Sequence, residues 1–196
     1  MTAKQEETIK KKITQIKRGL AQDKKHWGGY YHDGRGLRYL PPELYLKIKD
    51  FSGAFRYFNW FTKNFPEDIG SPIFLFEWTI TLFKTERIEK AEKKAMETFS
   101  SNTYLFDRFL KMELISIDKL ESSNWESANF IEHLKYSKDQ EEFTDFAEWL
   151  ETFTQSAGFS EFAKKFLEIQ TTLKTEPVGQ KRTELINRRR ILVENL

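Results

Sequence analysis

The stretch FSGAFRYFNWFTKNF, residues 51–65, decides the fold of this chain. Its aromatic residues recur at helical spacing and cover more than half of the circumference of a helix: Phe51, Phe55, Tyr57, Phe58, Trp60, Phe61 and Phe65. A helix that is apolar over so much of its surface must be covered on both sides. We therefore expect residues 51–65 to lie between neighbouring helices.

Helix signals continue on both sides of this stretch. Pro41-Pro42 suits the first turn of a short helix over residues 41–48, because the missing amide donor costs little there. Asp50 can cap the helix over 51–65, and Ser71-Pro72 provides an N-cap and a first-turn proline for residues 72–84. Apolar stripes predict further helices at 86–99 and 102–112, and a hairpin over 141–174 in which Gly158 ends the first helix in a left-handed cap. No strand alternation is long enough to trust, so the predicted fold class is all-α.

Small and aromatic residues also recur at a fixed spacing, with Ala91 lying 37 positions after Ala54. The first copy contains Tyr45, Phe51, Ala54, Phe58 and Pro66, and the second contains Leu75, Trp78, Leu82, Ile88, Ala91 and Ala95. Over residues 38–101 this register resembles a divergent tetratricopeptide repeat (TPR). The first unit departs from that pattern at Arg38, Pro41, Pro42 and Phe61. The resemblance implies antiparallel helical hairpins stacked as a short right-handed α-solenoid, with capping helices at both ends.

The resemblance also implies a concave groove, lined by the first helix of each unit, that accepts a peptide segment or another protein. Transferred by register, the groove residues are Tyr39, Glu43, Lys47, Phe76, Ile80 and Lys84. Phe76 and Ile80 have an alternative interpretation as interior packing residues, because the helix over 72–84 is apolar enough to be wholly enclosed.

Residues 28–36, GGYYHDGRG, form the most unusual loop of the chain. Four glycines make a helix improbable and allow several positive-φ positions. Loops that carry aromatic and charged residues on a rigid scaffold often carry function. The predicted binding residues of this loop are Tyr30, Tyr31, His32, Asp33 and Arg35. The alternative is that the loop is only a hinge between the first helix and the repeats.

The net charge of the chain is only +2, but its two ends are basic and its middle is acidic. Residues 1–30 hold eight Lys or Arg against three Asp or Glu, and residues 175–196 hold five against three. The cluster Lys10-Lys11-Lys12 could contact nucleic acid, an anionic membrane or an acidic partner. Arg188-Arg189-Arg190 could contact nucleic acid, or it could be part of an ordinary amphipathic helix end. A capping helix with a solvated face explains the first cluster equally well.

The predicted organisation is one all-α domain over residues 1–196. Its parts are a basic N-terminal helix (1–27), a glycine-rich loop (28–40), two TPR-like hairpins (41–101), connecting helices (102–135), a third hairpin (137–175) and a basic C-terminal helix (177–196).

Several function classes lack support in the sequence. The chain has no cysteine and only three scattered histidines, His26, His32 and His133, so no metal site and no cofactor are expected. No catalytic motif is found, and no apolar run approaches the length of a membrane span. We expect a cytoplasmic, non-enzymatic scaffold that binds another protein or a peptide. The alternative is a nucleic-acid-associated protein that uses its basic terminal helices, and an enzyme of unrecognised type is a third hypothesis.

Overall fold

A computed structural model describes residues 1–196, and the chain is helical with no β-strand. Contacts between residues divide it into two compact units, Met1–Ile88 and Glu89–Leu196. The helices are α1 (Ala3–His26), α2 (Pro41–Lys47), α3 (Phe51–Asn64), α4 (Pro72–Lys84), α5 (Ile88–Ser101), α6 (Leu105–Phe109), α7 (Thr144–Thr154), α8 (Ala157–Thr175) and α9 (Gln180–Glu194). The predicted all-α class is confirmed.

Helix α1 is anchored by one apolar stripe. It begins with a capping box, in which the Thr2 hydroxyl accepts from the Gln5 amide and the Gln5 side chain accepts from the Thr2 amide. Ile13, Ile16 and Leu20 are buried in one cluster with the α2 side chain Leu44. Burial contributes roughly 1.5–3 kcal/mol for each such side chain, so this stripe stabilises the packing of α1 on α2.

Helices α2, α3 and α4 pack pairwise against one another. The Asp50 carboxylate caps α3, and the Ser71 hydroxyl caps α4. Between α3 and α4, the Phe58 ring stacks on the Trp78 ring with centroids 4.7 Å apart and an interplanar angle of 11°. Ala54 is fully buried on α3. Helix α3 is therefore covered by α2 and by α4, as its wide aromatic stripe requires.

In the unit Glu89–Leu196, α7 and α8 pack against each other in the range where the third hairpin was predicted. Helix α8 also packs against α9, and Ile169, Leu173 and Leu185 form their shared apolar cluster. Two residues separate α7 from α8. This pair of helices explains the phenylalanine periodicity of the segment without any ligand.

Residues 102–135 contain less helix than the sequence predicts. Only α6 is α-helical, and short 3₁₀ turns follow at Asn124–Glu126 and Ala128–His133. Side chains satisfy the backbone instead: the Asn102 amide donates to the carbonyls of Trp125 (2.6 Å) and Ser127 (3.1 Å), and the buried Lys119 ammonium donates to the Glu126 carbonyl (2.9 Å). Such side-chain hydrogen bonds give the backbone carbonyls of an irregular segment a partner, so the segment can be buried without a large cost in free energy.

The predicted left-handed cap at Gly158 is wrong. Helix α7 ends at Thr154, and the Ser156 hydroxyl caps α8 by accepting from the Phe159 amide at 3.2 Å. Gly158 is therefore the second residue of α8 and has no positive φ. The serine N-cap begins a new helix before the glycine is reached.

Candidate functional site

The five predicted binding residues of the loop between α1 and α2 differ in their exposure to solvent. Asp33 is 7% exposed and Tyr31 is half-buried, whereas Tyr30 is 79% exposed. His32 and Arg35 are also exposed. Three of the five predicted residues are therefore exposed, and the other two contribute to the structure of the loop itself.

Asp33 holds the loop in shape through its carboxylate. One oxygen accepts from the Leu37 amide at 2.9 Å, and the other accepts from the Arg38 amide at 3.0 Å and from the Arg38 guanidinium at 2.9 Å. Upstream, the Asp23 carboxylate accepts from the backbone amides of His32 and Asp33 at 2.8 and 3.1 Å. Two carboxylates thus hold the loop backbone, one at His32 and Asp33 and the other at Leu37 and Arg38.

Arg38 ties the loop to the turn that precedes α4. Its Nε donates to Asp68 Oδ2 at 2.6 Å, and its guanidinium carbon lies 4.5 Å from the centroid of the Tyr39 ring. The Tyr39 hydroxyl donates to the same Asp68 carboxylate at 2.6 Å. The Asp68 carboxylate also accepts from the Gly70 amide at 2.9 Å. Charge-assisted hydrogen bonds of this kind are among the stronger polar contacts in proteins.

The pKa values of these groups reflect their pairing. Burial raises the pKa of Tyr39, the hydrogen bond to Asp68 raises it further, and it reaches about 12. Burial acts to raise the pKa of Asp68, but hydrogen bonds from Tyr39 and Arg38 outweigh it, so the pKa is lowered. Burial likewise acts to lower the pKa of Arg38, yet the hydrogen bonds to Asp68 and Asp33 leave it raised. At neutral pH the Asp68 carboxylate and the Arg38 guanidinium are therefore charged, and the Tyr39 hydroxyl keeps its proton.

The Tyr31 ring packs the loop against α3 and the residue that follows it. Its ring lies 4.7 Å from the Phe65 ring and 5.8 Å from the Trp60 ring, between centroids. The Lys24 ammonium lies 4.9 Å above it and donates to the Asn64 side chain at 3.1 Å. Burial raises the pKa of Tyr31. Its ring is therefore part of the packing against α3 and Phe65.

On the exposed side of the loop, two histidine rings contact Trp27. Trp27 is not among the residues predicted from the sequence. The Trp27 ring stacks on the His32 ring with centroids 5.0 Å apart, and His26 meets it edge-on at 5.1 Å. Trp27 is nevertheless 50% exposed. We call His26, Trp27, Tyr30, His32 and Arg35 the loop surface. A sequence signal existed, since Trp27 follows a lysine-rich last turn and precedes two glycines.

The groove residues that were transferred by register do not form one exposed surface. Phe76 and Ile80 are fully buried in α4, which corresponds to their interior-packing alternative. Tyr39 is committed to the Asp68 network. The charged members lie nearer the surface: Glu43 and Lys84 are half-buried and Lys47 is exposed.

A second concave surface lies in the unit Glu89–Leu196, along α8 and α9. Its volume is about 860 Å³, and its walls include Phe162, Ile169 and Ile191. The charged side chains at its rim carry both signs, as the pair of Glu161 and Lys165 illustrates with a separation of 2.6 Å. No feature of the sequence predicted this groove.

Histidine and acidic side chains do not form a group of three or more that could hold a metal ion. None of the helices combines the length and the hydropathy that crossing a lipid bilayer requires. No protein-family model matches the chain, and comparisons with curated proteins and with solved structures likewise found no match.

Proposed function

We propose that this chain is a non-enzymatic binding module that recognises a protein or peptide segment through the loop surface. The observation that carries the proposal is that Trp27 and Tyr30, 50% and 79% exposed, directly precede a loop segment whose backbone amides donate to the carboxylates of Asp23 and Asp33. Exposed aromatic residues offer large contact areas, and a fixed loop loses little conformational entropy when it binds a partner.

We further propose that residues 38–84, within the unit Met1–Ile88, have a TPR-like packing that serves as the scaffold for this loop. The pairwise packing of α2, α3 and α4 supports the arrangement, because adjacent helix pairs in such a stack share these contacts. The burial of Phe76 and Ile80 leaves the groove without its apolar members. Recognition is therefore assigned to the loop surface rather than to the groove.

A second candidate function is association with nucleic acid, and one observation favours it. Exposed cations Lys4, Lys11, Arg18 and Lys25 follow one face of α1 at seven-residue spacing. The C-terminal cluster offers no such face, because consecutive helical residues point about 100° apart. There, Arg189 already donates to the Gln170 side chain at 3.1 Å. A steep loss of oligonucleotide affinity between low and physiological salt would support this candidate, and no binding at low salt would exclude it.

Selection from a random-sequence peptide display library tests the main proposal without a known partner. Immobilised wild-type protein is used for selection, and the selected peptides are then measured against the Trp27→Ala/Tyr30→Ala variant. We expect the variant to lose at least about tenfold in affinity, which is typical when central aromatic contacts are truncated. Its circular dichroism should equal that of the wild type, because both side chains are exposed.

A matched control removes exposed apolar side chains elsewhere. Ile115 and Val178 are 70% and 97% exposed, so Ile115→Ala/Val178→Ala should leave peptide affinity unchanged. The proposal fails if the selected peptides bind the loop variant as tightly as the wild type. Loss of binding in an Ile191→Glu variant alone would instead assign recognition to the groove along α8 and α9.

A further inference from the structure

A cavity of about 500 Å³ lies within the unit Met1–Ile88, where the turn between α2 and α3 meets the turn between α4 and α5. Its walls come from residues 49–52, from Phe55 and Arg56 of α3, and from residues 84–87. We call it the turn cavity. None of the residues of the loop surface lines it, so it is a separate candidate site.

Positive charge predominates along the walls of the turn cavity. Four cations and two carboxylates line it: Lys49, Arg56, Lys84 and Arg87, with Asp50 and Glu86. The Asp50 carboxylate is already engaged, because it accepts from the Gly53 amide at 2.8 Å. Lys49, Arg56 and Arg87 form no ion pair within the chain. Cations that share a cavity and lack a partner attract an anion to it.

Arg87 is held in place by contacts that leave much of its guanidinium group available. The guanidinium carbon lies 3.9 Å from the centroid of the Phe55 ring, and Nη1 donates to the Thr85 carbonyl at 2.6 Å. The remaining N–H groups of the fork can donate to an anion. One turn earlier on α3, the Lys84 ammonium lies 5.6 Å from the centroid of the Phe51 ring. Two cations therefore lie beside adjacent turns of one face of α3.

Lys49 occupies a backbone position that favours glycine. Its φ is 57°, and it belongs to the Schellman motif that ends α2. In this motif the Lys49 amide donates to the Leu46 carbonyl at 2.9 Å, and the Asp50 amide donates to the Tyr45 carbonyl at 3.0 Å. Left-handed backbone is unfavourable for a residue that has a Cβ. The chain therefore places a charged side chain beside the cavity at a cost in stability.

We propose that the turn cavity binds a phosphate group through Lys49, Arg56 and Arg87. A phosphate monoester carries about two negative charges near neutral pH and offers three strong acceptor oxygens. Arginine matches these oxygens with a planar fork of donors, and lysine adds a compact positive charge. A small phosphate ester and a phosphorylated side chain of a protein present the same oxygens. The proposal goes beyond the proposed function and does not depend on it, because the loop surface takes no part.

Other anions fit the turn cavity less well. A carboxylate has a single charge and two oxygens, whereas three cations without an ion pair line the walls. A nucleic-acid strand needs free aromatic faces on which its bases stack. The two rings at this cavity, Phe51 and Phe55, each have a cation over the ring already.

Calorimetric titration of the full chain at low salt tests the proposal. The probes are inorganic phosphate, free phosphoserine and a short phosphoserine peptide. Wild-type protein is compared with Lys49→Gly and Arg56→Gln, and the matched control Lys63→Gln removes one positive charge from another exposed position of α3. We expect each cavity variant to lose at least about fivefold in affinity for phosphoserine, and the control to lose less than about twofold.

The Lys49→Gly variant separates binding from folding. Glycine accepts the left-handed backbone without strain, so the melting temperature of this variant should not fall below that of the wild type although its phosphate affinity falls. The peptide probe identifies the source of the phosphate. A peptide that binds more tightly than free phosphoserine assigns the phosphate to a protein segment, and one that binds no more tightly assigns it to a small phosphate ester.

Three results would overturn the proposal. They are a wild-type protein that binds none of the three probes, a loss of affinity in Lys63→Gln equal to that in the cavity variants, and unchanged affinity in both Lys49→Gly and Arg56→Gln. Failure here is distinct from failure of the proposed function. The Trp27→Ala/Tyr30→Ala variant should bind phosphoserine as the wild type does, because neither side chain lines the turn cavity.

Discussion

Arg38 Nε lies 2.6 Å from Asp68 Oδ2, and this contact joins residues that are 30 positions apart in the chain. It connects the loop after α1 with the turn before α4. The Tyr39 hydroxyl donates to the same carboxylate at 2.6 Å. The shape of the loop surface therefore depends on an acidic residue outside the loop.

The variant Asp68→Ala should destabilise the protein by about 1–3 kcal/mol, because it leaves two partly buried donors without their acceptor. Chemical denaturation with urea measures this change. Glu67→Ala is the matched control, since Glu67 is an exposed neighbour, and it should change stability by less than about 0.5 kcal/mol. Equal stabilities of the two variants would show that the Asp68 contacts contribute nothing.

The stability of the wild-type protein should fall as the pH rises from about 10 towards 12. An unfolded tyrosine has a pKa of about 10, whereas that of Tyr39 is raised to about 12 in the folded protein. The folded state keeps this proton through a range in which the unfolded state releases it, so the stabilisation is complete below pH 10 and is lost above it. In Tyr39→Phe, the dependence of urea midpoints on pH should be shallower over this range. An unchanged slope would contradict the raised pKa.

The Ala54→Trp variant should be destabilised by about 1–3 kcal/mol or more, because overpacking forces displacements in a filled interior. Ala54 has no exposed surface on α3. Asn59→Trp introduces the same side chain at an exposed position of the same helix and should have little effect. The melting temperatures of the two variants are compared. An unchanged melting temperature of Ala54→Trp would show that Ala54 does not lie in the packed interior.

Gly36→Ala should cost about 1–2 kcal/mol, because Gly36 has a φ of 64° and left-handed backbone strains an L-residue. An added Cβ would also lie 3.3 Å from the Tyr39 ring. Gly34 is the control within the same loop. It has no positive φ, and its added Cβ would lie 3.4 Å from the His32 ring, so Gly34→Ala should cost less. A reversed order of stability would contradict the described loop conformation.

Local sequence signals predicted the helices of this chain well. Asp50 and Ser71 cap α3 and α4 where the sequence predicted, and the ends of these helices lie within one residue of the predicted positions. Such caps and apolar stripes act over three or four residues, so they can be seen without tertiary information. Residues 102–135 were predicted less well, because side-chain hydrogen bonds from Asn102 and Lys119 replace helical bonds there.

The candidate site could be predicted only in part. The glycines located the loop, but the inward orientation of Tyr31 and Asp33 depends on Phe65 and Arg38, which the sequence alone does not place. The burial of Phe76 is likewise a tertiary effect, since it depends on which faces of α4 are covered. Trp27 lies beyond the last turn of α1, so its exposure could not be predicted from the helical pattern.

Hydrogen exchange of the loop amides tests most directly whether the loop is a fixed recognition surface or a hinge. The amides of His32, Asp33, Leu37 and Arg38 donate to the carboxylates of Asp23 and Asp33. We predict that these four amides exchange much more slowly than in an unstructured chain and that Asp33→Ala abolishes the protection of Leu37 and Arg38. Exchange of all four amides in wild-type protein at the rate of an unstructured chain would identify the segment as a hinge and contradict the account.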